Sequence, residues 1–282
     1  MSTSPVLSTG TYQRARRPEQ KLERRDAILG AARELALRDG VRAVSLADIA
    51  ARVGIHKSAL LRYFETREQI FLELTAQAWR EWVTALHAGL DGAAPGSAAL
   101  VADVFARSFG DRPLLCDLIA HTPLNLERNV SAETVRRYKL TSLAAVDEAA
   151  AVARRVLPDL TLAECGEFVA ALASLAGAVW QIANPGPALA ELYASDPALS
   201  RACVDLTPRL RRTGEILLAG LIPSRVGKSN HLDLKMIICA RRGLPPGLPP
   251  RAAAGRAGAG QCSGSHHVSR RHPIQVCTSS RT

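Results

Sequence analysis

Aromatic residues are scarce in this 282-residue chain: five Phe, four Tyr and three Trp. A core with so few rings has to be closed by Ala and Leu, and each aromatic marks a place that needs bulk. Sustained β-branched alternation is also missing. That excludes a sheet and points to an all-α fold. The six cysteines, Cys116, Cys165, Cys203, Cys239, Cys262 and Cys277, form no Cys-x-x-Cys pair. The first three read as small buried hydrophobes in a reducing compartment. The first 25 residues are polar and basic and lack an apolar run, so no signal peptide is expected. The longest uncharged stretch, residues 168–190, contains Asn184, Pro185, Gly186 and Pro187. This leaves less apolar helix than the roughly 20 residues a bilayer requires. A cytoplasmic protein without membrane contact is expected.

Catalytic signatures are absent too. The sequence contains no GxSxG, Walker loop, HExxH or GxGxxG, so nothing nominates a nucleophile, a metal-bound water or a phosphate cradle. Asp147 and Glu148 are adjacent and therefore diverge around a helix. His266, His267 and His272 with Cys262 and Cys277 fit no standard metal spacing. No catalytic residue, metal or cofactor is expected. An all-helical enzyme and a basic scaffold or membrane-surface protein stand as the alternative readings.

Positive charge is abundant but uneven. Lys and Arg exceed Asp and Glu by five in residues 1–70 and by nine in residues 223–282, while residues 71–222 carry four more acids than bases. A basic end is the electrostatic footprint of a nucleic-acid partner. Residues 1–17, with Arg14, Arg16 and Arg17, read as a disordered basic arm; such an arm either enters a minor groove or tethers. Residues 223–282, with "GLPPGLPPRAAAGRAGAG", have no packable face and read as a disordered basic tail. Their Arg, Pro, Ala and Gly content is also that of GC-rich DNA read in a shifted frame.

Periodicity places a helix from Pro18 to Arg38, ended by Gly40. Ser45 and Asp48 form a capping-box pattern for a short second helix, which Gly54 stops. A third helix is expected from about Lys57 to Phe64, with Leu60 and Phe64 turned inward. Thr66 caps a fourth, with Gln69 as its partner, reaching about Leu90. Further helices are expected at about 97–109, 113–121, 131–157, 161–183 and 198–221.

A short helix, a glycine turn and a second short helix make a helix-turn-helix unit, whose second member enters the major groove of DNA. Lys57 suits a phosphate or a guanine, and Tyr63 can lay its ring on a sugar. Residues 26–74, including "AILGAARELALRDGVRAVSLADIAARVGIHKSALLRYFETREQIFLEL", resemble the DNA-binding domain of TetR-family transcriptional regulators. The resemblance implies a three-helix DNA reader over residues 18–74. It also implies a helical ligand-binding and dimerisation domain over residues 75–222, and repression relieved by an unknown small-molecule effector. Carried over to this chain, Ser45 touches phosphate at the start of the second helix. His56, Lys57, Ser58 and Ala59 form the base-facing start of the third, Tyr63 occupies a frequent aromatic or His position, and Arg67 a frequent basic phosphate contact. His56 stands where Ser or Thr often caps. Leu61 and Arg62 stand where two tyrosines are frequent; Leu61 can meet a thymine methyl and Arg62 a phosphate or guanine.

The stretch "VWQIANPGPALAELYASDPALSRACVDLTPRLRRTGEILLAGL" is similar to the end of an actinobacterial-type TetR C-terminal domain. A double-stranded, palindromic DNA operator calls for a homodimer. Phe168, Leu172, Leu175 and Val179 on one helix, with Leu210, Ile216, Leu217 and Leu221 on another, are expected to form a four-helix interface with a second copy. Phe105, Phe109, His121, Tyr138 and Trp180 are the bulky or polar-tipped candidates for an effector cavity. Trp79 and Trp82 either couple that cavity to the DNA-reading unit or pack between the two parts.

Overall fold

The structure, a computed structural model, describes residues 10–222, with side chains described from residue 19. These residues belong to one compact unit, Met1–His231; a second, Leu232–Thr282, lies outside the described residues, as do the basic tail and residues 1–9 of the arm. All regular structure among the described residues is helical: α1 (Gly10–Asp39), α2 (Leu46–Val53), α3 (Lys57–Leu60), α4 (Arg67–Gly89), α5 (Ala98–Gly110), α6 (Pro113–His121), α7 (Ala132–Val156), α8 (Leu162–Ala183), α9 (Pro187–Ser195) and α10 (Leu206–Leu221). A π-helical turn, Thr122–Leu126, follows α6, and a 3-10 turn, Pro197–Ala202, follows α9.

Local chemistry sets most of these ends. The Ser45 hydroxyl accepts the Asp48 N–H at 3.2 Å while Asp48 Oδ2 accepts the Ser45 N–H at 2.8 Å, which closes the capping box of α2. Thr66 accepts the Gln69 N–H at the start of α4. Gly54 ends α2 at φ 72°, a left-handed conformation open to glycine at little cost. A Cβ at Gly54 meets nothing within 4 Å. Gly54→Ala is therefore expected to cost only backbone strain, about 1–2 kcal/mol, read as a lower midpoint in urea unfolding with an unchanged slope.

Three boundaries differ from the sequence reading. Helix α1 begins at Gly10 and runs through Pro18 rather than starting there. Good helix formers flank the proline, at the loss of one backbone hydrogen bond. Helix α3 ends at Leu60, and residues up to Phe64 continue as tighter turns: the Arg62 and Tyr63 N–H groups bond three residues back, to Ala59 and Leu60. The segment read as one helix over 198–221 is broken. Pro187 opens α9, a 3-10 turn follows Asp196, and α10 begins only at Leu206. Helix α8 keeps the bounds expected for it, but at 22 residues it is, among the described residues, the one helix long and apolar enough to cross a membrane. The expectation of a shorter apolar helix fails because a capping box of Thr161 and Glu164 starts it well before Phe168. Its Cys165, Phe168, Leu172 and Ala176 are buried in the bundle.

The core is continuous from the short N-terminal helices into the larger bundle. Ile28, Ala32, Ile49, Leu60, Phe64 and Ile70 close the first part. In the second, Trp82 stacks on Phe109 (4.8 Å between centroids) and meets Trp79 and Phe105 edge-on, while Phe105 meets Phe168 at 5.2 Å. The Trp82 indole N–H donates to Ser108 Oγ at 2.8 Å, so the largest ring is buried with its polar atom satisfied. All of these contacts lie within residues 75–222, so they place the two rings in the core of the larger part rather than across a seam between the two parts. Helices α6 and α8 approach closely at Gly177, where a Cβ would stand 2.9 Å from the Ala120 backbone nitrogen. Helix α4 runs through both parts, burying Ile70 and Phe71 at one end and Trp82 and Leu86 at the other.

Candidate nucleic-acid interface and effector clefts

Gly54 and the inward pair Leu60 and Phe64 decide what α3 shows to solvent. With that pair buried, His56, Lys57, Ser58, Leu61 and Arg62 are exposed, Ala59 and Tyr63 half-buried. His56 is the N-cap: its Nδ1 accepts the Ser58 N–H at 3.3 Å and lies 2.8 Å from Ser58 Oγ. The ring thus does the job that a Ser or Thr does more often. Ser45 is exposed at the start of α2, where its oxygen caps the helix. Hydrogen bonds from the Ser45 side chain and backbone hold the Asp48 carboxyl below the usual carboxylate range.

Charge pairing separates structural cations from available ones. Arg33 pairs with Glu81, Arg38 with Asp39 and Arg52 with Glu34. Among the described residues Lys57 and Arg62 have no acidic partner and no hydrogen bond from their side chains. Arg67 departs from its expected phosphate contact. Its guanidinium donates to the Val44 and Val41 carbonyls, lies 4.5 Å over the Phe71 ring and pairs with Glu68. Those carbonyls close the turn before α2, so Arg67 braces the DNA-reading unit from inside.

Arg25, which sequence reasoning missed, is the second brace. Its Nη1 donates to the Tyr63 carbonyl at 2.7 Å, its guanidinium lies 4.1 Å over the Phe64 ring, and Nη2 pairs with Glu73. On the other side of Phe64, Glu65 accepts the Ser131 N–H and hydroxyl, both at 2.9 Å. The Ser131 N–H, first among the causes, holds the Glu65 carboxyl below its ordinary value. The end of the reading segment is thus tied to α1 and α4 through Arg25 and to the start of α7 through Glu65.

Of the five cavity candidates, Phe105 and Phe109 line none of the clefts described below. Both are fully buried in the aromatic cluster, where the rings fill space rather than enclose it. Tyr138 lines a cleft of about 300 Å³ between α1, α4 and α7, together with Arg25, Glu73, Arg80 and Arg137. Burial raises the Tyr138 phenol above its ordinary value, with the neighbouring Trp79 and Thr122 side chains acting the other way. His121 and Trp180 border a different groove, about 570 Å³, with Arg42 and Asp117. There His121 is engaged within the chain: Nδ1–H donates to the Asp117 carbonyl at 2.9 Å and stands 3.3 Å from Asp117 Oδ1. Asp117 is buried, and its Oδ2 accepts the Val41 N–H at 2.7 Å, its Oδ1 the Gln181 amide at 2.8 Å. Burial works to raise the Asp117 carboxyl, but these hydrogen bonds outweigh it and hold it low, while the bond to Asp117 raises His121. Asp117 joins α6 and α8 to the turn between α1 and α2.

The expected dimer residues divide. Phe168, Leu172 and Leu210 are buried within the single chain and offer no surface to a second copy. The reason is that α8 packs against α6, α7 and α10 while α10 lies on α5, which takes the Phe168 side of α8. Leu175 is exposed, and Val179, Leu217 and Leu221 are half-buried. The apolar face left to solvent runs along Leu175, Ala178 and Ile182 of α8, with Ile216 of α10, and Leu175, Ile182 and Ile216 are 36%, 52% and 54% exposed.

Two family models match the chain. One, described as bacterial regulatory proteins of the tetR family, matches residues 28–74; the other, a tetracyclin repressor-like C-terminal domain, matches residues 76–225. No curated protein matches in sequence. Among solved structures, a transcriptional regulator from Rhodococcus sp. Rha1 is 17% identical, covers 70% of this chain and 97% of its own, and gives a TM-score of 0.48. The fatty acid degradation regulator FadR from Bacillus halodurans is 14% identical, with coverage of 70% and 96% and a TM-score of 0.47. A TetR family regulator, PfmR from Thermus thermophilus, is 20% identical, with coverage of 69% and 98% and a TM-score of 0.43.

Proposed function

This chain belongs to the TetR family of transcriptional regulators, and from that premise we propose that it is a repressor that binds a palindromic operator as a homodimer and is released by a small molecule. The observation that carries the reading is the pair of unpartnered cations, Lys57 and Arg62, on a segment aimed outward by Gly54 and anchored inward by Leu60 and Phe64. Lys57 and Ser45 meet phosphates; Arg62 and Leu61 reach base edges; Tyr63 lies along a sugar. His56 caps the segment, and Ser58 and Ala59 allow it to approach closely. Residues 18–74 form the reader and residues 75–222 the effector and dimer domain. The protein acts on cytoplasmic DNA, without catalysis.

One reading segment makes too few contacts for a specific site, and two-fold dimers read half-sites about one helical turn, roughly 34–36 Å, apart. The exposed face of Leu175, Ala178, Ile182 and Ile216 supports dimerisation, since an apolar stripe of this kind is covered in a stable protein. Release by effector is a shift of population toward a dimer with the wrong spacing of reading segments, with a coupling of about 1–3 kcal/mol. Selection of bound duplexes from a random pool tests the reading. The expected result is one palindrome, present upstream of the protein's own gene and still bound after removal of residues 224–282. A monomer in sedimentation that prefers no DNA sequence would contradict it.

A further inference from the structure

Three guanidinium groups face one space. The cleft of about 300 Å³ between α1, α4 and α7 is lined by Arg25, Arg80 and Arg137, and Glu73 is the one acid among its lining residues. Glu73 pairs with Arg25 and stands 3.8 Å from Arg137, while Arg80 has no acidic partner among the described residues. The formal charge of the lining is therefore positive by two. Its floor is apolar, formed by Leu72, Ala76 and the Tyr138 ring. A second cleft of about 480 Å³ shares Arg80 and Thr141 with the first and extends the space past Val83, Leu140 and Ala144. Positive charge gathers in the first cleft, and the second is walled mainly by Val83, Leu140, Ala144 and Ala145, with Glu148, paired to His87, as its one acid.

We propose that this groove is the effector site, and that it takes a small organic monocarboxylate. The head enters among Arg25, Arg80 and Arg137, and the apolar body lies against Leu72 and along Val83 and Leu140. The proposal rests on the regulator reading above. A carboxylate is favoured because one already sits there: Glu73 shows that the Arg25 and Arg137 forks converge on such a group, and guanidinium binds carboxylate with two parallel donors. The excess of two positive charges in the first cleft, one over the combined groove, draws in one more anion.

The consequence for DNA binding lies in Arg25. The guanidinium that meets the head also holds the Tyr63 carbonyl and covers Phe64. A second carboxylate on Arg25 competes with Tyr63, and a body wedged between α4 and α7 loads the Glu65–Ser131 tie from the other side. Both ties bracket Phe64, the inward anchor of the reading segment. An effector that binds better when they are loosened shifts the chain away from its DNA-bound form.

Calorimetric titration of octanoate into the full chain, with octanol as the uncharged match, tests the site. One octanoate per chain is expected, with octanol at least about tenfold weaker. Arg80→Ala and Arg137→Ala each lower octanoate affinity about tenfold or more, as loss of a charge-assisted hydrogen bond should. Glu73→Gln moves the affinity the other way, because it removes the internal competitor; a merely structural role for Glu73 would not tighten binding. In a second arm, fluorescence anisotropy follows the selected operator duplex. Octanoate dissociates it from the unaltered chain, and the Arg137→Ala chain requires about tenfold more. Equal binding of octanoate and octanol, no octanoate binding at millimolar concentration, or unchanged affinity in an Arg80→Ala/Arg137→Ala chain overturns the site. Octanoate binding that leaves operator affinity unmoved overturns its effector role. The calorimetric arm contains no DNA, so its failure leaves the operator reading standing, and failure of the operator selection leaves the calorimetric result standing.

Discussion

Arg62→Ala and Lys57→Ala are each expected to weaken operator binding by tenfold or more while leaving the fold intact. Both side chains are exposed and unpartnered, so truncation opens no cavity and strands no buried charge. On DNA each substitution counts twice, once per half-site. A good contact to a base edge is worth about 1–3 kcal/mol, so the pair of losses spans about 2–6 kcal/mol in a symmetric complex. The two residues are separable by how the loss depends on conditions. A phosphate contact by Lys57 predicts uniform weakening across sequences. It also predicts a salt slope flatter by about 0.9 per contact, or about 1.8 per dimer. A base contact by Arg62 predicts relaxed preference at one symmetric pair of positions. Gel-shift titrations at two salt concentrations measure both effects. Binding equal to that of the unaltered chain for both variants would remove this segment as the reader.

Asp117→Ala is expected to cause the largest loss of stability. The carboxylate is buried and receives hydrogen bonds from the Val41 N–H and the Gln181 amide, with His121 beside it. Its removal leaves the Val41 N–H without its partner inside the protein, and unpaired buried donors of this kind cost about 1–3 kcal/mol each. Protonation linkage adds a second signature. Asp117 is held low, so its contribution is present above the ordinary carboxylate value and is lost as pH falls through the lower folded value. His121 is held high, so its contribution is full below the ordinary histidine value and is lost as pH rises through the higher folded one. The pair therefore stabilises most between about pH 4 and 6.5. Urea midpoints at pH 6 and pH 8 should differ in the unaltered chain by an amount that shrinks in Asp117→Ala. An Asp117→Ala chain with the same midpoint and the same pH response would show that the cluster is spectator chemistry. Because Asp117 grips Val41 at the entrance to α2, the variant should also lose operator affinity beyond what unfolding explains.

Much of the DNA-reading unit was legible along the chain because its determinants are close neighbours. The capping box of Ser45 and Asp48 spans three residues, Gly54 governs its own φ, and the Leu60/Phe64 pair follows from helical repeat. The helices of the larger domain were legible in the same way, up to the broken stretch after Ala183, where proline and Asp196 compete with periodicity. The groove was legible only through Tyr138. Arg25 and Glu73 are 48 residues apart, and no spacing rule pairs residues across that distance. Phe105 and Phe109 misled because scarcity of aromatics marks bulk without saying whether the bulk fills a core or walls a cavity.

What the sequence determined by itself is which segments coil, where they stop and which side of each is apolar, since those depend on side-chain chemistry within a turn or two. What only the tertiary structure decided is which charged groups are spent inside. Arg67 closes onto Val41 and Val44, Arg25 onto Tyr63 and Glu73, and Asp117 onto Val41 from 76 residues away. Lys57 and Arg62 are left over. A charged group's role depends on which partners the packed chain brings within about 3 Å, and that distance is a property of the fold rather than of the order of residues.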